Sequence, residues 1–350
     1  MPRPVRSTPR SLPVTLLLTT ALIFLGGCRA AELRVVEDND FFLRGRSTDR
    51  YYTQGTRVDV AGPTDQFEES KLSSFLRWLR IFPDHTDPRE IQQFGSFGVS
   101  QLFFTPSDIS LDPRVPADEA VLAKDRPYAG WLFGAFGLHQ REFDPLPQRQ
   151  DRLDTVELQV GMIGPHSYGE DIQRWWHQVI GSPDPKGWDQ QIGDELGVNL
   201  IWLRHFRTYF NELAFGEFDT LQSFGGALGT VDTYGQIGAI LRYGWNLPRD
   251  FGYGTISAID PVSKDFSLYF SVGTQGRYVA RNATLDGRLF AGDIRTATRE
   301  PFVAELRSSV TVRWYGLALS YAVASRTPEF TRGSDPQRYG TIDFRWAMEF

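Results

Sequence analysis

The sequence predicts a closed, membrane-spanning antiparallel β-barrel of about twelve strands. Three observations predict it: an export signal at the N-terminus, a strictly alternating last segment, and a composition rich in rings and turns but not apolar overall. Aromatic residues make up 14% of the 350-residue chain and glycines number 33, while mean hydropathy is −0.32. That balance suits strands with one face in lipid and one in a polar lumen better than it suits spanning helices. A chain of this length could hold two ordinary domains, but all-β barrels use such lengths as one unit. Residues 1–30 therefore read as a signal peptide and 31–350 as a single barrel domain.

Arg3, Arg6 and Arg10 supply the positive region of the signal, and Leu12 to Leu25 its apolar stretch, too short to span comfortably. The signal ends in Leu25-Gly26-Gly27-Cys28, which resembles a lipoprotein signal; an ordinary signal cleaved near Ala30 or Ala31 fits the same residues. Cys28 is the only cysteine, so no internal disulfide forms. No later stretch reaches the ~18 apolar residues of a spanning helix. The net charge of −6, with Lys and Arg scattered, excludes a nucleic-acid partner.

In the closing segment TIDFRWAMEF, Ile342, Phe344, Trp346, Met348 and Phe350 share one face, while Thr341, Asp343, Arg345, Ala347 and Glu349 share the other. Period two of this kind puts apolar side chains in lipid and polar ones toward the lumen. Backbone groups in lipid are satisfied only if the sheet closes. The terminal Phe also resembles the signal by which barrel assembly machinery recognises outer-membrane barrels, which implies that machinery as a partner and the Gram-negative outer membrane as the location. Further strands are expected in Leu33–Val36, Gly55–Val60, Phe94–Phe104, Gly130–Leu138, Thr155–Met162, Val198–Phe206, Leu213–Thr220, Thr233–Tyr243, Phe266–Tyr278, the residues leading to Arg313, and Gly316–Ala324. FEESKLSSFLRWLRIF, with Leu72, Phe75, Leu79 and Phe82 at helical spacing, predicts a short amphipathic helix against the barrel base or the membrane surface. If the chain starts in the periplasm, the outward loops are Asn39–Thr53, Thr105–Pro127, Pro165–Gly193, Leu221–Asp232, Ala280–Glu300 and Arg326–Gly340.

The unusual polar motifs fall in those loops. In GPHSYGEDIQRWWHQVIG, Ser167 and Glu170 form a capping box and Gly181 a stop, so a helix is expected over Ser167–Ile180. Glu170, Gln173 and His177 share one stripe, and Ile172, Trp176, Val179 and Ile180 the other. A histidine so placed suits a general base near neutral pH, or is a surface or packing residue. In EDNDFF and TDRYYTQG, Asp38, Asn39, Asp40 and Asp49 concentrate oxygen ligands suited to Ca²⁺, or simply make an Asn/Asp-rich turn. In KDRPYAGW an Asp-Arg pair enters a strand, either as a structural ion pair or as a direct participant. No phosphate-binding loop or zinc spacing occurs. His166-Ser167 lacks the elbow of a serine hydrolase.

On these residues the sequence resembles the outer-membrane lipid A 3'-O-deacylase family, LpxR. The likeness is carried by Asn39-Asp40, TDRYYTQG, DRPYAGW, the GPHSYGEDIQRWWHQVIG block with Gly187-Trp188, and SRTPEFTRG through TIDFRWAMEF. The resemblance implies a twelve-stranded barrel and Ca²⁺-dependent hydrolysis of the ester-linked 3' acyl group of lipid A in lipopolysaccharide. It makes His177 the general base, brings Asn39, Thr53 and Gln173 into the site, and makes Asp40 the first choice as metal ligand, followed by Asp38 and Asp49. The register within Asp38-Asn39-Asp40 allows the roles of Asn39 and Asp40 to shift by one position. Leu111 stands about where some relatives carry a lysine, which leaves the lipid phosphates to Arg50, Arg114, Lys124 and Arg126. Two other readings stay open: a Ca²⁺-dependent outer-membrane phospholipase, and a non-catalytic pore or structural barrel.

Overall fold

The computed structural model describes residues 30–43, 49–63, 71–82, 90–143, 150–213, 215–252, 255–256, 265–293, 295–331 and 335–349. The signal-peptide reading, with Cys28, lies outside them. Twelve strands run in order: β1 (Ala30–Asn39), β2 (Tyr51–Pro63), β3 (Glu90–Thr105), β4 (Ala129–Phe143), β5 (Gln150–Ile163), β6 (Glu195–Leu213), β7 (Gly216–Gly229), β8 (Asp232–Trp245), β9 (Ser267–Asn282), β10 (Phe302–Trp314), β11 (Leu317–Arg326) and β12 (Gln337–Glu349). Each pairs antiparallel with its sequence neighbours, and β1 pairs with β12 to close the barrel. Closure leaves no unpaired edge, which is what lipid requires of a sheet.

Among the described residues four short helices sit outside the barrel ladder: α1 (Lys71–Trp78), α2 (Pro116–Leu122), α3 (Gly169–Ile180) and α4 (Ala283–Asp286). Among the described residues no helix is long and apolar enough to cross a membrane. The wall follows the expected alternation. In β12, Thr341 and Asp343 line an interior cavity, whereas Trp346, on the opposite parity, is exposed. Two expectations change. Leu221–Gly229 is strand, not loop: the small residues of SFGGALG hide the alternation, yet they pair with both β6 and β8. In α1, Leu76 and Phe82 pack against Leu138 and Val156 on the outer wall, while Phe75 and Leu79 of the expected stripe are exposed.

Ion pairs and the β8–β9 segment cross the lumen. Arg57 on β2 reaches Glu157 on β5 at 2.7 Å, and Arg34 lies 3.2 Å from Asp343. Near the end opposite the β1–β2 loop, the β8–β9 segment brings Asp250 to Arg242 and buries Phe251 with Phe94 and Leu153. At the other end Tyr52, Phe104, Trp131, Phe133 and Tyr339 form the main apolar cluster. Interior cavities of about 380 and 360 Å³ remain between these layers.

Candidate active site

Six loops emerge at the end where β1 finishes, and they pack on one another. Arg126, before β4, is fully buried; it reaches Glu329 before β12 at 3.1 Å and Thr284 in α4 at 2.9 Å. Arg50 pairs with Asp335 at 2.8 Å. These contacts knit the rim into one body, on which the candidate site stands.

The helix α3 lies outside the barrel wall. In β3, Ser100 and Leu102 line the lumen, so Gln101 and Phe103 face outward. Gln101 donates from Nε2 to the Ser167 carbonyl at 2.5 Å, and Phe103 meets Trp188 edge-on. Gly130 permits this approach, because a Cβ there would collide with Ser167 Oγ. Polar and small residues of α3, Gly169, Gln173 and His177, are buried toward the wall. Trp175 and Val179 are 60% and 59% exposed on its far side. The helix thus turns a polar face to the protein, while its outer face mixes Trp175 and Val179 with Asp171, Arg174 and Gln178.

The N-terminus of α3 differs from expectation. A 3-10 turn over Pro165–Ser167 precedes it, Tyr168 takes the cap position with φ 59°, and no side chain caps the helix. Ser167 Oγ donates instead to the Gly164 carbonyl at 2.6 Å, so the capping box does not form. His166 is exposed and pairs with Asp194 at 2.7 Å, leaving Ser167 without a histidine partner. Glu170 shares the helix face of Gln173 and His177 but is only partly buried, and it pairs with Arg174 at 2.9 Å. Gly181 ends the helix in the left-handed region, φ 72°, as expected.

His177 is 1% exposed and bonded at both ring nitrogens. Nδ1 lies 2.5 Å from the Pro183 carbonyl, and Nε2 lies 2.7 Å from Asp49 Oδ2. A carbonyl only accepts, so Nδ1 carries a proton; with a carboxylate oxygen on Nε2 the arrangement suits the protonated ring, and Nε2 is the nitrogen that holds the exchangeable proton. Burial works against a charged ring, but the hydrogen bonds it donates to Asp49 and Pro183 and the Asp49 charge outweigh it and raise the pKa.

Asp40 follows β1 in a 3-10 turn, Asp40–Phe42, whose N-cap is Asn39: Asn39 Oδ1 accepts from the Phe41 amide at 2.8 Å. Burial first, and the charge of Asp49 second, push the Asp40 carboxyl up to about 8. Its Oδ2 is buried with no hydrogen-bond partner. Two carboxylates that repel each other, one with an unclaimed oxygen, fit a hard divalent cation, which takes carboxylate, carbonyl and water oxygens. Among the described residues no cluster of three or more Asp, Glu, His or Cys stands ready for a metal, so carbonyl or water oxygens would have to complete the coordination.

Asp38 is a correction. Strand alternation points it into the lumen, where it accepts from the Tyr52 hydroxyl at 2.8 Å and from Thr341 at 2.6 Å. It does not join Asp40. Thr53 sits at a bulge in β2 and bonds Thr105 at 2.8 Å, and Thr105 in turn donates to the Asp49 carbonyl at 3.0 Å. Thr53 therefore fixes the loop that carries Asp49. Gln173 Oε1 accepts from Trp188 Nε1 at 2.8 Å, while its Nε2 is buried and unpartnered.

Of the expected phosphate cations, Arg126 is consumed inside the rim. Arg114 is exposed and pairs with Asp112 at 2.9 Å. Lys124 is exposed just after α2. Sequence reasoning passed over two contributors. One is the Pro183 carbonyl, a backbone atom with no sequence signal. The other is Tyr128, visible in DRPYAGW, whose ring packs on Trp188 and whose hydroxyl is buried without a partner. Burial and the charges of Asp49, Asp108 and Asp125 raise the Tyr128 pKa, so it keeps its proton.

The fold and rim compare as follows with known proteins. LpxR from Salmonella typhimurium superposes with a TM-score of 0.65 at 20% identity, covering 90% of this chain and 99% of that one. The β domain of the Bordetella autotransporter BrkA gives 0.45 at 10% identity, covering 91% and 98%. The translocator domain of NalP from Neisseria meningitidis gives 0.38 at 9% identity, covering 95% and 93%. No curated protein matches in sequence. The profile described as outer membrane protein LpxR matches residues 14–348. The chain is a closed outer-membrane barrel with helix α3 held against its outer wall, and it belongs to the LpxR family.

Proposed function

We propose that the protein is a lipid A 3'-O-deacylase that hydrolyses an acyl ester of lipid A in the outer leaflet, with His177 as general base. One observation carries the reading: a histidine of α3, buried toward the outer wall and held at Nδ1 by a carbonyl, pairs with Asp49, whose charge also bears on the buried Asp40 carboxyl. A site on the outer wall is reached sideways from the membrane, where a lipid ester lies. A site in the lumen would not be.

The Pro183 carbonyl holds Nδ1–H, so Nε2 is the nitrogen that takes a proton from water, once Asp49 turns from Nε2 toward the cation. The nearby Asp49 charge then favours the imidazolium that proton transfer creates. Asp40 and Asp49, with neighbouring carbonyls, would hold Ca²⁺, which supplies electrostatic stabilisation of the ester oxyanion when bound. Gln173 Nε2 and the Tyr128 hydroxyl, buried and uncommitted, are donors available to the same oxygen. Thr53 and Asn39 set the two turns that bring the carboxylates together. Arg50 and Lys124 lie at the rim, where lipid phosphates arrive.

Mass spectrometry of lipid A and phospholipids from cells expressing the chain tests the reading. Loss of the 3' acyl group, suppressed by EDTA, supports it. Chain loss confined to phospholipids would reassign the substrate, and unchanged lipids would remove the activity. A water-filled pore is disfavoured by the ion pairs and the β8–β9 segment that cross the lumen.

A further inference from the structure

The outer wall directly beneath the candidate site is polar, which a lipid-facing surface ordinarily is not. Arg34, Val36 and Asp38 of β1, Gly55 and Arg57 of β2, and Ser100 and Leu102 of β3 line the lumen. The alternate residues therefore face out. Asn39 stands beside Gln54, and Glu37 beside Thr56. Gln101 follows on β3, opposite Thr56. Two rows of amide, hydroxyl and carboxyl groups thus descend from the site. Below them the same outward faces carry Val35, Val58 and Val99, which stand side by side across the three strands.

This strip has an excess of acceptors. Glu37 accepts from the Thr56 hydroxyl at 2.5 Å, and among the described residues it has no Arg or Lys partner. Gln54 gives its amide hydrogen to Thr56 at 3.2 Å, while its Oε1 is buried with no partner. An amide oxygen cannot donate, and a carboxyl group keeps acceptor capacity in either protonation state. Both are therefore suited to a ligand that brings N–H or O–H groups. Glu37 lies two residues along the strand from Asn39, about 7 Å further down the wall. A lipid whose ester sits at His177 would lay its neighbouring acyl region along this strip.

We infer that Glu37 and Gln54 are specificity-determining residues that accept hydrogen bonds from an amide N–H or a hydroxyl on the substrate's acyl chain next to the one cleaved. This rests on the lipid hydrolase reading above and goes beyond it. The strip selects donor-bearing acyl linkages, as on an acylated amino sugar, over the all-ester linkages of a glycerophospholipid, which offer no donor. A buried amide oxygen left unpaired at Gln54 is costly, so a ligand without donors leaves that cost standing.

The test uses full-length protein in detergent micelles with two synthetic probes. One is an N,O-diacylated glucosamine phosphate, and the other is a matched compound in which the amide is replaced by an ester. The variants are Glu37→Leu and Gln54→Leu. Leucine suits a lipid-facing wall, so a merely structural role predicts a barrel at least as stable. The conservative Glu37→Gln keeps an acceptor oxygen and serves as rescue. The wild type is expected to favour the amide probe about tenfold or more in KM, with kcat little changed. Both leucine variants are expected to lose that preference, and Glu37→Gln to keep most of it. Cleavage of both probes with a ratio unchanged in the leucine variants overturns this inference alone. Cleavage of neither probe by wild type overturns the hydrolase reading and this inference with it.

Discussion

Replacing His177 by Ala separates chemistry from folding. The imidazole is held by one bond to Asp49 and one to Pro183. Removing it leaves the Pro183 carbonyl and the Asp49 carboxylate short of a partner, a loss of about 1–3 kcal/mol. That loss is confined to a loop helix, while the wall is a closed twelve-strand ladder that does not include the residue. The barrel should therefore remain heat-modifiable on gels. A positioned general base contributes about 10²–10⁴ in rate, equivalent to roughly 2.7–5.4 kcal/mol of barrier. Lipid A from cells expressing His177→Ala should keep its 3' chains under conditions where the wild type removes them, as read by mass spectrometry. Release within about threefold of wild type, at equal amounts of folded barrel, would refute the assignment of the base.

Other outcomes follow from the same geometry. Because Asp40 is pushed up to about 8 from 3.8, the folded protein without a cation binds more protons than the unfolded chain across that window. Its stability should fall as pH rises from about 4 to 8, and Ca²⁺ binding should release a proton and tighten with pH up to about 8. Half-saturating Ca²⁺ measured at pH 6, 7 and 8 that proved constant would contradict this. Arg126→Met leaves Glu329 with Arg326 at 3.2 Å, so the cost should lie near the low end for a broken buried pair, about 3 kcal/mol. A urea midpoint shift equivalent to less than about 1 kcal/mol would show that the rim does not depend on it. The Glu329 pKa is lowered: burial opposes this, but Arg326 and Arg126 prevail. Its stabilisation should be present above its ordinary 4.5 and vanish as pH drops below that value, and acid unfolding unchanged by Glu329→Gln would refute it. Gly130→Val should press Ser167 and the start of α3 off the wall, reducing turnover at least about tenfold while the barrel stays folded; unaltered turnover would mean the helix position is not needed.

Part of this protein is readable from residue order alone. Period-two alternation in β12 fixes which side chains meet lipid and which meet the lumen, because a strand has only two faces. The strand count and the grouping of rim loops follow from parity. The stop at Gly181 follows from a backbone conformation that glycine adopts without strain. The histidine and the Asn-Asp turn were visible as motifs for the same reason: residue type and local spacing constrain what a short segment can do.

The assembly of those motifs was settled only by closing the sheet. Asp38 and Asp40 are two residues apart, yet one is in the lumen and the other in a turn after the strand ends, a boundary that composition does not mark. Arg126 and Glu329 are separated by 203 positions, and burial converts what looked like a phosphate cation into a strut. Asp49 became the partner of His177 because two loops from different hairpins meet over the outer wall. Local sequence sets strand, turn and helix through short-range sterics and hydrogen bonding. Which side chain becomes ligand, base or brace depends on distances between loops, and those exist only once β1 has paired with β12.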